Sequence, residues 1–157
     1  MLVRRQGVKH AVALGCVLLL SAVMGAAQSN EALDDILQSM QASYGQAAYL
    51  LLTSDGSIEE HSSYEHAAAA LQQRLGPVVE RHAADALTLG EFALLVQMYH
   101  DLPRGLMGRL VRAPRYAVRD LRFLRVVQGR SYPNMRLSGE RMVRIMGRVL
   151  AWQEGVL

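Results

Sequence analysis

The residues best equipped to do chemistry in this chain are its arginines. Arg112, Arg115, Arg119 and Arg122 recur at 3/4/3 spacing, which lines four guanidinium groups along one stripe of a helix. Arg141, Arg144 and Arg148 make a second stripe, opposite Met142, Ile145 and Val149. A guanidinium is planar and permanently charged, and its fork of N–H donors matches carboxylate and phosphate oxygens two at a time. The chemistry on offer is recognition of an anion. Solvation of outer helix faces and pairing with acids of the same chain are the competing uses of these residues.

Leu106, Met107, Leu110 and Val111 lie beside Arg109 in a connector at 103–114 that carries Gly105, Gly108 and a proline at each end. Apolar side chains next to Arg in a loop point to a docking edge or a shallow membrane contact. Burial of Leu106, Leu110 and Val111 in the core is the alternative.

Other chemistries find little support. His61 and His66 are five residues apart and diverge on a helix; His82 and His100 stand alone, with no His-Glu-x-x-His pattern. Asp34-Asp35 fits the first turn of a helix, where the macrodipole favours anions. Ser138 reads as a helix cap, and Gly105 and Gly108 lack the Lys-Ser/Thr of a phosphate loop. A hydrolase would need two of Glu65, Glu91, His82 and His100 to converge, which their spacing does not require. The expectation is therefore a non-enzymatic protein with no catalytic residues, cofactor or metal.

The start of the chain reads as an export signal. Arg4, Arg5 and Lys9 precede an apolar run from Ala11 to Met24, and small residues follow at Gly25, Ala26 and Ala27. Gly25 and Ala27 suit the small pockets of a signal peptidase, so residues 1–27 are expected to be a signal peptide cut after Ala27. A retained N-terminal anchor is the rival, since the run is just short of a usual span. Either way the remainder crosses the membrane, to a periplasmic or envelope-associated location. Lipidation at Cys16 is disfavoured by Ala13, where a large aliphatic is usual. With Cys16 in the leader, no thiol chemistry remains after it.

The charge then changes meaning. The whole chain has 17 Lys+Arg against 14 Asp+Glu, with a pI near 9.3. From Gln28 onward it has 14 Arg, no Lys and 14 acids. Residues 28–101 hold 11 acids and 2 Arg, while residues 102–157 hold 12 Arg and 3 acids. Such a split sets up opposed surface fields. A basic stripe usually signals nucleic acid. Export and the compensating acidic half argue against that partner here. An envelope protein, an anionic wall polymer or a lipid headgroup fits better, and head-to-tail pairing of acidic and basic halves would give a homo-oligomer.

The elements that must position these residues are helical nearly throughout. Ser29 can cap a leading helix carrying Leu33, Ile36, Leu37, Met40 and Tyr44; Ala47–Leu52 extends it or makes a short strand. Ser62-x-x-Glu65 and Thr88-x-x-Glu91 are capping boxes opening the second and third helices, which end at Gly76-Pro77 and Pro103. A fourth helix spans about Tyr116 to Gln128, closed by Gly129, and Ser138 opens a fifth. The expected fold is thus all-α, with about five helices. The divisions are an acidic helix and linker at 28–60 and a helical domain at 61–157 with units at 62–102 and 114–152. A 50-residue shift places Ala67, Leu71, Phe92, Leu95 and Val96 over Ala117, Leu121, Met142, Ile145 and Met146, which indicates two helix-hairpin repeats plus the leading helix.

Leu87-Thr88-Leu89-Gly90-Glu91-Phe92-Ala93 resembles the Ile-Thr-Arg-Ala-Glu-Phe-Ala-like motif of surface-layer-homology repeats, the helical modules of exported envelope proteins. Leu137-Ser138-Gly139-Glu140-Arg141-Met142 follows it with Glu one position early. The likeness covers about residues 62–152 and implies a helical envelope module. Where that family has an Arg that helps hold wall polysaccharide, this chain has Leu89 and Gly139, so the glycan contact does not carry over.

Overall fold

Four of the longer helices begin where a hydroxyl side chain, on Ser43, Ser63, Thr88 or Ser138, accepts the backbone N–H three residues on. The structure, a computed structural model, describes residues 31–76 and 81–156. The expected leader, its cleavage point and the Ser29 cap lie outside them. Within them the chain is all-α, in seven helical segments: α1 (31–38), α2 (Tyr44–Ser54), α3 (Tyr64–Leu75), α4 (Leu89–Tyr99), α5 (Leu106–Leu110), α6 (Pro114–Phe123) and α7 (Gly139–Gln153). Among the described residues no helix is long and apolar enough to cross a membrane.

Seven segments replace the expected five for two local reasons. The leading helix does not run on through Met40. Ser43 and Gln46 form a capping box instead: the Gln46 N–H donates to Ser43 Oγ at 3.2 Å and the Ser43 N–H donates to Gln46 Oε1 at 3.1 Å. Starting a new helix satisfies both donors, and Met40 is left exposed. The connector contributes the second extra piece, α5.

Two boundaries also move. Ser63, not Ser62, caps α3, accepting from the His66 N–H at 3.2 Å. α6 runs from Pro114 to Phe123 rather than 116–128, with Pro at its first position, where a missing N–H costs nothing. Arg125 then adopts a left-handed φ of 61°, and the Val126 and Val127 N–H groups both return to the Leu121 carbonyl. Val127 is buried by this turn and not by a helix.

The helix starts converge on one another. The Ala42 N–H donates to the Leu137 carbonyl at 2.7 Å, and the Leu87 N–H donates to the Ala42 carbonyl at 2.9 Å. One glycine just inside each of α2, α4 and α7 lets this happen. A Cβ on Gly45 would lie 2.8 Å from the Tyr64 Cβ; on Gly90, 2.7 Å from the Pro133 carbonyl oxygen; on Gly139, 2.6 Å from the Ile36 carbonyl carbon. Each glycine N–H is also used, donating to the carbonyls of Ala83, Pro133 and Ser39 respectively.

Around this hub α2 packs on α3 and α4 packs on α6. Residue 60, the expected domain boundary, falls in the loop of the α2–α3 pair. Ile36, Tyr44, Leu51, Leu71, Phe92, Leu121 and Met142 all belong to one core, whose members lie between Ala32 and Trp152. Asp35 ties α1 down by accepting from Tyr64 Oη at 2.8 Å and Gln46 Nε2 at 3.1 Å.

Candidate functional site

α6 is strongly two-faced. Ala117, Val118 and Leu121 are buried, while Arg115, Arg119 and Arg122 are exposed. Tyr116 steers two of these cations: the Arg115 and Arg119 guanidinium carbons lie 4.7 Å and 5.4 Å from its ring centre. Arg112 precedes the first turn of α6, so three of the four expected residues share the helix and the fourth sits in the adjoining loop.

Asp120 breaks the basic pattern and is buried. Its Oδ2 accepts the Gly105 N–H at 3.1 Å and Gln97 Nε2 at 3.3 Å. Burying a carboxylate requires such donors. Arg119 Nε is 3.9 Å from Oδ1, a long contact, and Arg119 itself is largely exposed. The carboxylate also fixes α5. A Cβ on Gly108 would lie 2.6 Å from Oδ2, so α5 meets α6 through its glycine.

That contact decides where the connector leucines go. At 100° per residue, Leu106 and Leu110 are each about 200° around α5 from Gly108. They therefore point away from α6, and are 76% and 72% exposed. Met107 and Val111 are partly exposed beside them, as are Arg109 and Arg112. Leu106, Leu110 and Val111 are thus outside the core.

Phe123, at the end of α6, is 87% exposed. It stands between two hollows of about 400 Å³ each. One is walled by Arg104, Gly105 and Arg119, the other by Arg115, Arg122 and Pro133, and both share Arg119 and Phe123. The result is one continuous face of Arg104, Arg115, Arg119 and Arg122 around an aromatic ring, next to the apolar edge of α5.

The second arginine stripe is used differently. Arg141 donates to the carbonyls of Arg130, at 2.6 Å, and Gln128, at 3.3 Å. Burial, and secondarily the charge of Arg144, draw its pKa below the ordinary value. It clasps the loop between α6 and α7. Arg144 pairs with Glu140, and Arg148 is half-buried and makes no ion pair among the described residues.

The opposed charges of the two halves scarcely pair among the described residues. Arg74 pairs with Asp55 and Arg81 with Glu91, both inside the acidic half; Arg119–Asp120 and Arg144–Glu140 lie inside the basic half. The only bridge across the division, among the described residues, is the adjacent pair Asp101–Arg104 at 3.9 Å.

Other polar groups serve the fold. Glu91 completes its capping box with Thr88 and meets Arg81. Asp55 accepts from Tyr99 Oη at 2.7 Å, and Arg74 lies over the Tyr99 ring. Tyr44 Oη is buried without a partner among the described residues, and burial pushes its pKa up to about 12. His61, His66 and His82 are exposed, and none of Glu65, Glu91, His82 and His100 hydrogen-bonds to another of the set.

Arg104, Asp120, Phe123 and Tyr116 were not among the candidates from sequence. Two had a signal. Asp120 is one of 3 acids among 12 Arg after residue 101, and Phe123 is a large apolar residue out of phase with Ala117, Leu121 and Leu124. Comparison with family models, curated proteins and solved structures returned no match.

Proposed function

We propose that this chain is an exported, non-enzymatic module of the cell envelope that binds an anionic partner through the Arg face of α6. The observation that carries the reading is that Arg115, Arg119 and Arg122 are exposed together around Phe123, with no ion pair to an acid of the acidic half among the described residues. Arg115 and Arg119 lie against the Tyr116 ring, and the one carboxylate near them, that of Asp120, is 3.9 Å from Arg119, so most of their donors remain for a ligand. The partner surface narrows to Arg104, Arg115, Arg119 and Arg122 with Leu106, Met107 and Arg109 alongside. Arg141 is spent on the loop it clasps.

Export and envelope location rest on the leader at 1–27. The surface-layer-homology resemblance and the repeat are part of the same proposal. Gly45 and Gly90 are each pressed against the first residue of the helix they pack on, α3 and α6, a recurrence that runs across the expected bounds 62–102 and 114–152.

The test is binding of long-chain polyphosphate, and retention in an envelope fraction, by the chain from Gln28 and by Arg115→Glu/Arg119→Glu/Arg122→Glu. Loss of both, with an unchanged helical circular-dichroism spectrum, is expected. Unchanged binding and retention would sink the proposal. A second reading, head-to-tail self-association, is favoured by the unpaired halves. It requires assembly in sedimentation at low salt that dissolves at high salt.

A further inference from the structure

Three large apolar side chains are exposed in this Arg-rich part of the chain: Leu106 and Leu110 on α5, and Phe123 at the end of α6. Their exposure is built in. Gly108 is the residue of α5 that touches Asp120, which turns both leucines outward, and Phe123 is on the opposite side of α6 from Leu121 and its neighbours. Arg104, Arg119 and Arg122 line the hollows beside Phe123, and Arg109 and Arg112 are exposed next to the leucines in sequence. A hydrophilic polymer would leave such protrusions idle in water. A folded acidic protein would need a surface matched to projections carried on two separate elements. The interface of a bilayer accepts protrusions of any shape, while the surrounding guanidinium groups remain level with the phosphates.

We infer that the anionic partner is a phospholipid surface, with Leu106, Leu110 and Phe123 inserting below the headgroups and the surrounding arginines pairing with lipid phosphate. The inference rests on the Arg-face reading above and makes it specific. The positive balance of residues 102–157 supplies the long-range attraction to a negative surface. Insertion supplies a salt-resistant part that charge alone does not.

The experiment uses the chain from Gln28, which keeps every residue of the core, and two variants: Leu106→Ser/Leu110→Ser/Phe123→Ser and Arg115→Glu/Arg119→Glu/Arg122→Glu. Each is sedimented with vesicles of phosphatidylglycerol and phosphatidylcholine, and with vesicles of phosphatidylcholine alone. Polyphosphate binding is measured in parallel. The altered side chains are already exposed, so the thermal midpoints of the variants serve only to verify folding. The parent chain is expected to bind the anionic vesicles and not the neutral ones. The apolar variant should lose at least about tenfold in vesicle affinity and keep its polyphosphate affinity. The charge variant should lose both, at about fivefold or more per residue. Polyphosphate binding with equal vesicle binding by the parent and the apolar variant would overturn the lipid assignment and leave the Arg-face reading standing. Binding of neither probe would overturn both.

Discussion

The Asp120 carboxylate accepts the Gly105 backbone N–H at 3.1 Å, and through this bond a buried acid on α6 holds the short helix α5 in place. A five-residue helix has too few internal hydrogen bonds to persist by itself. Asp120→Ala should therefore release α5 and destabilise the fold by about 1–3 kcal/mol, because the Gly105 N–H and Gln97 amide lose their acceptor. Asp120→Asn, which retains an acceptor oxygen, should cost less. Urea unfolding of both variants checks the order; equal costs would mean that the hydrogen bond is not the link.

Two glycines of α7 should respond oppositely to alanine. At Gly139 the new methyl would meet the Ile36 backbone carbonyl, and backbone cannot swing aside. Gly139→Ala should cost at least about 3 kcal/mol or prevent folding. At Gly147 an added methyl would meet none of the described residues within 4 Å, so Gly147→Ala should stabilise by about 0.5–1 kcal/mol through helix propensity. Thermal midpoints of the pair decide the matter.

Stability should fall on mild acidification through His100. Its Nε2 is buried without a hydrogen-bond partner among the described residues. Burial lowers its pKa below the ordinary 6.5; Asp55 opposes that effect and Arg74 adds to it. A histidine depressed in the folded state binds its proton more readily when unfolded, so its contribution is complete above about 6.5 and is lost as pH drops below that value. Urea midpoints measured from pH 8 to 5 should decline for the parent and decline less for His100→Phe. Parallel profiles would refute the assignment.

A second acid-sensitive step belongs to Asp55. Burial raises its pKa, but hydrogen bonds from Ser57 and Tyr99, together with Arg74, outweigh that and hold it below 3.8. A depressed carboxylate contributes stability above its unfolded pKa and loses it as pH falls through the lower folded value. Asp55→Asn should therefore flatten the stability profile below about pH 4 and leave the His100 region visible above it.

Thr88 should be worth about 1 kcal/mol. It accepts the Glu91 N–H at 3.3 Å while Glu91 accepts the Thr88 N–H at 2.9 Å, and Glu91 also meets Arg81. Thr88→Ala loses one half of the box and should lower the unfolding free energy by that amount, whereas Thr88→Ser should be near neutral.

Local pattern was enough for much of this architecture. The Thr88–Glu91 box, the Ser138 start and the buried positions Ala67, Leu71, Phe92, Leu95, Ala117, Leu121 and Met142 all follow from side-chain chemistry within four residues, which a linear sequence displays directly. The all-α class and the charge division follow for the same reason. The Ser43–Gln46 box was equally local, but the apolar spacing of Ile36, Met40 and Tyr44 imitated one continuous helix.

What lay beyond the sequence depends on contacts between residues far apart in the chain. Gly139 must be glycine because Ile36 lies against it. Leu106 and Leu110 point outward because Gly108, and not either leucine, meets Asp120. Arg141 is withdrawn from the basic surface by the carbonyls of Gln128 and Arg130, while Arg104 and Phe123 join it across the turn between α4 and α6. The chain alone determined that a lysine-free basic half would carry Arg stripes on helices. Only tertiary packing decided which arginines remain exposed, because a hydrogen bond or a steric contact over many residues leaves no periodic trace.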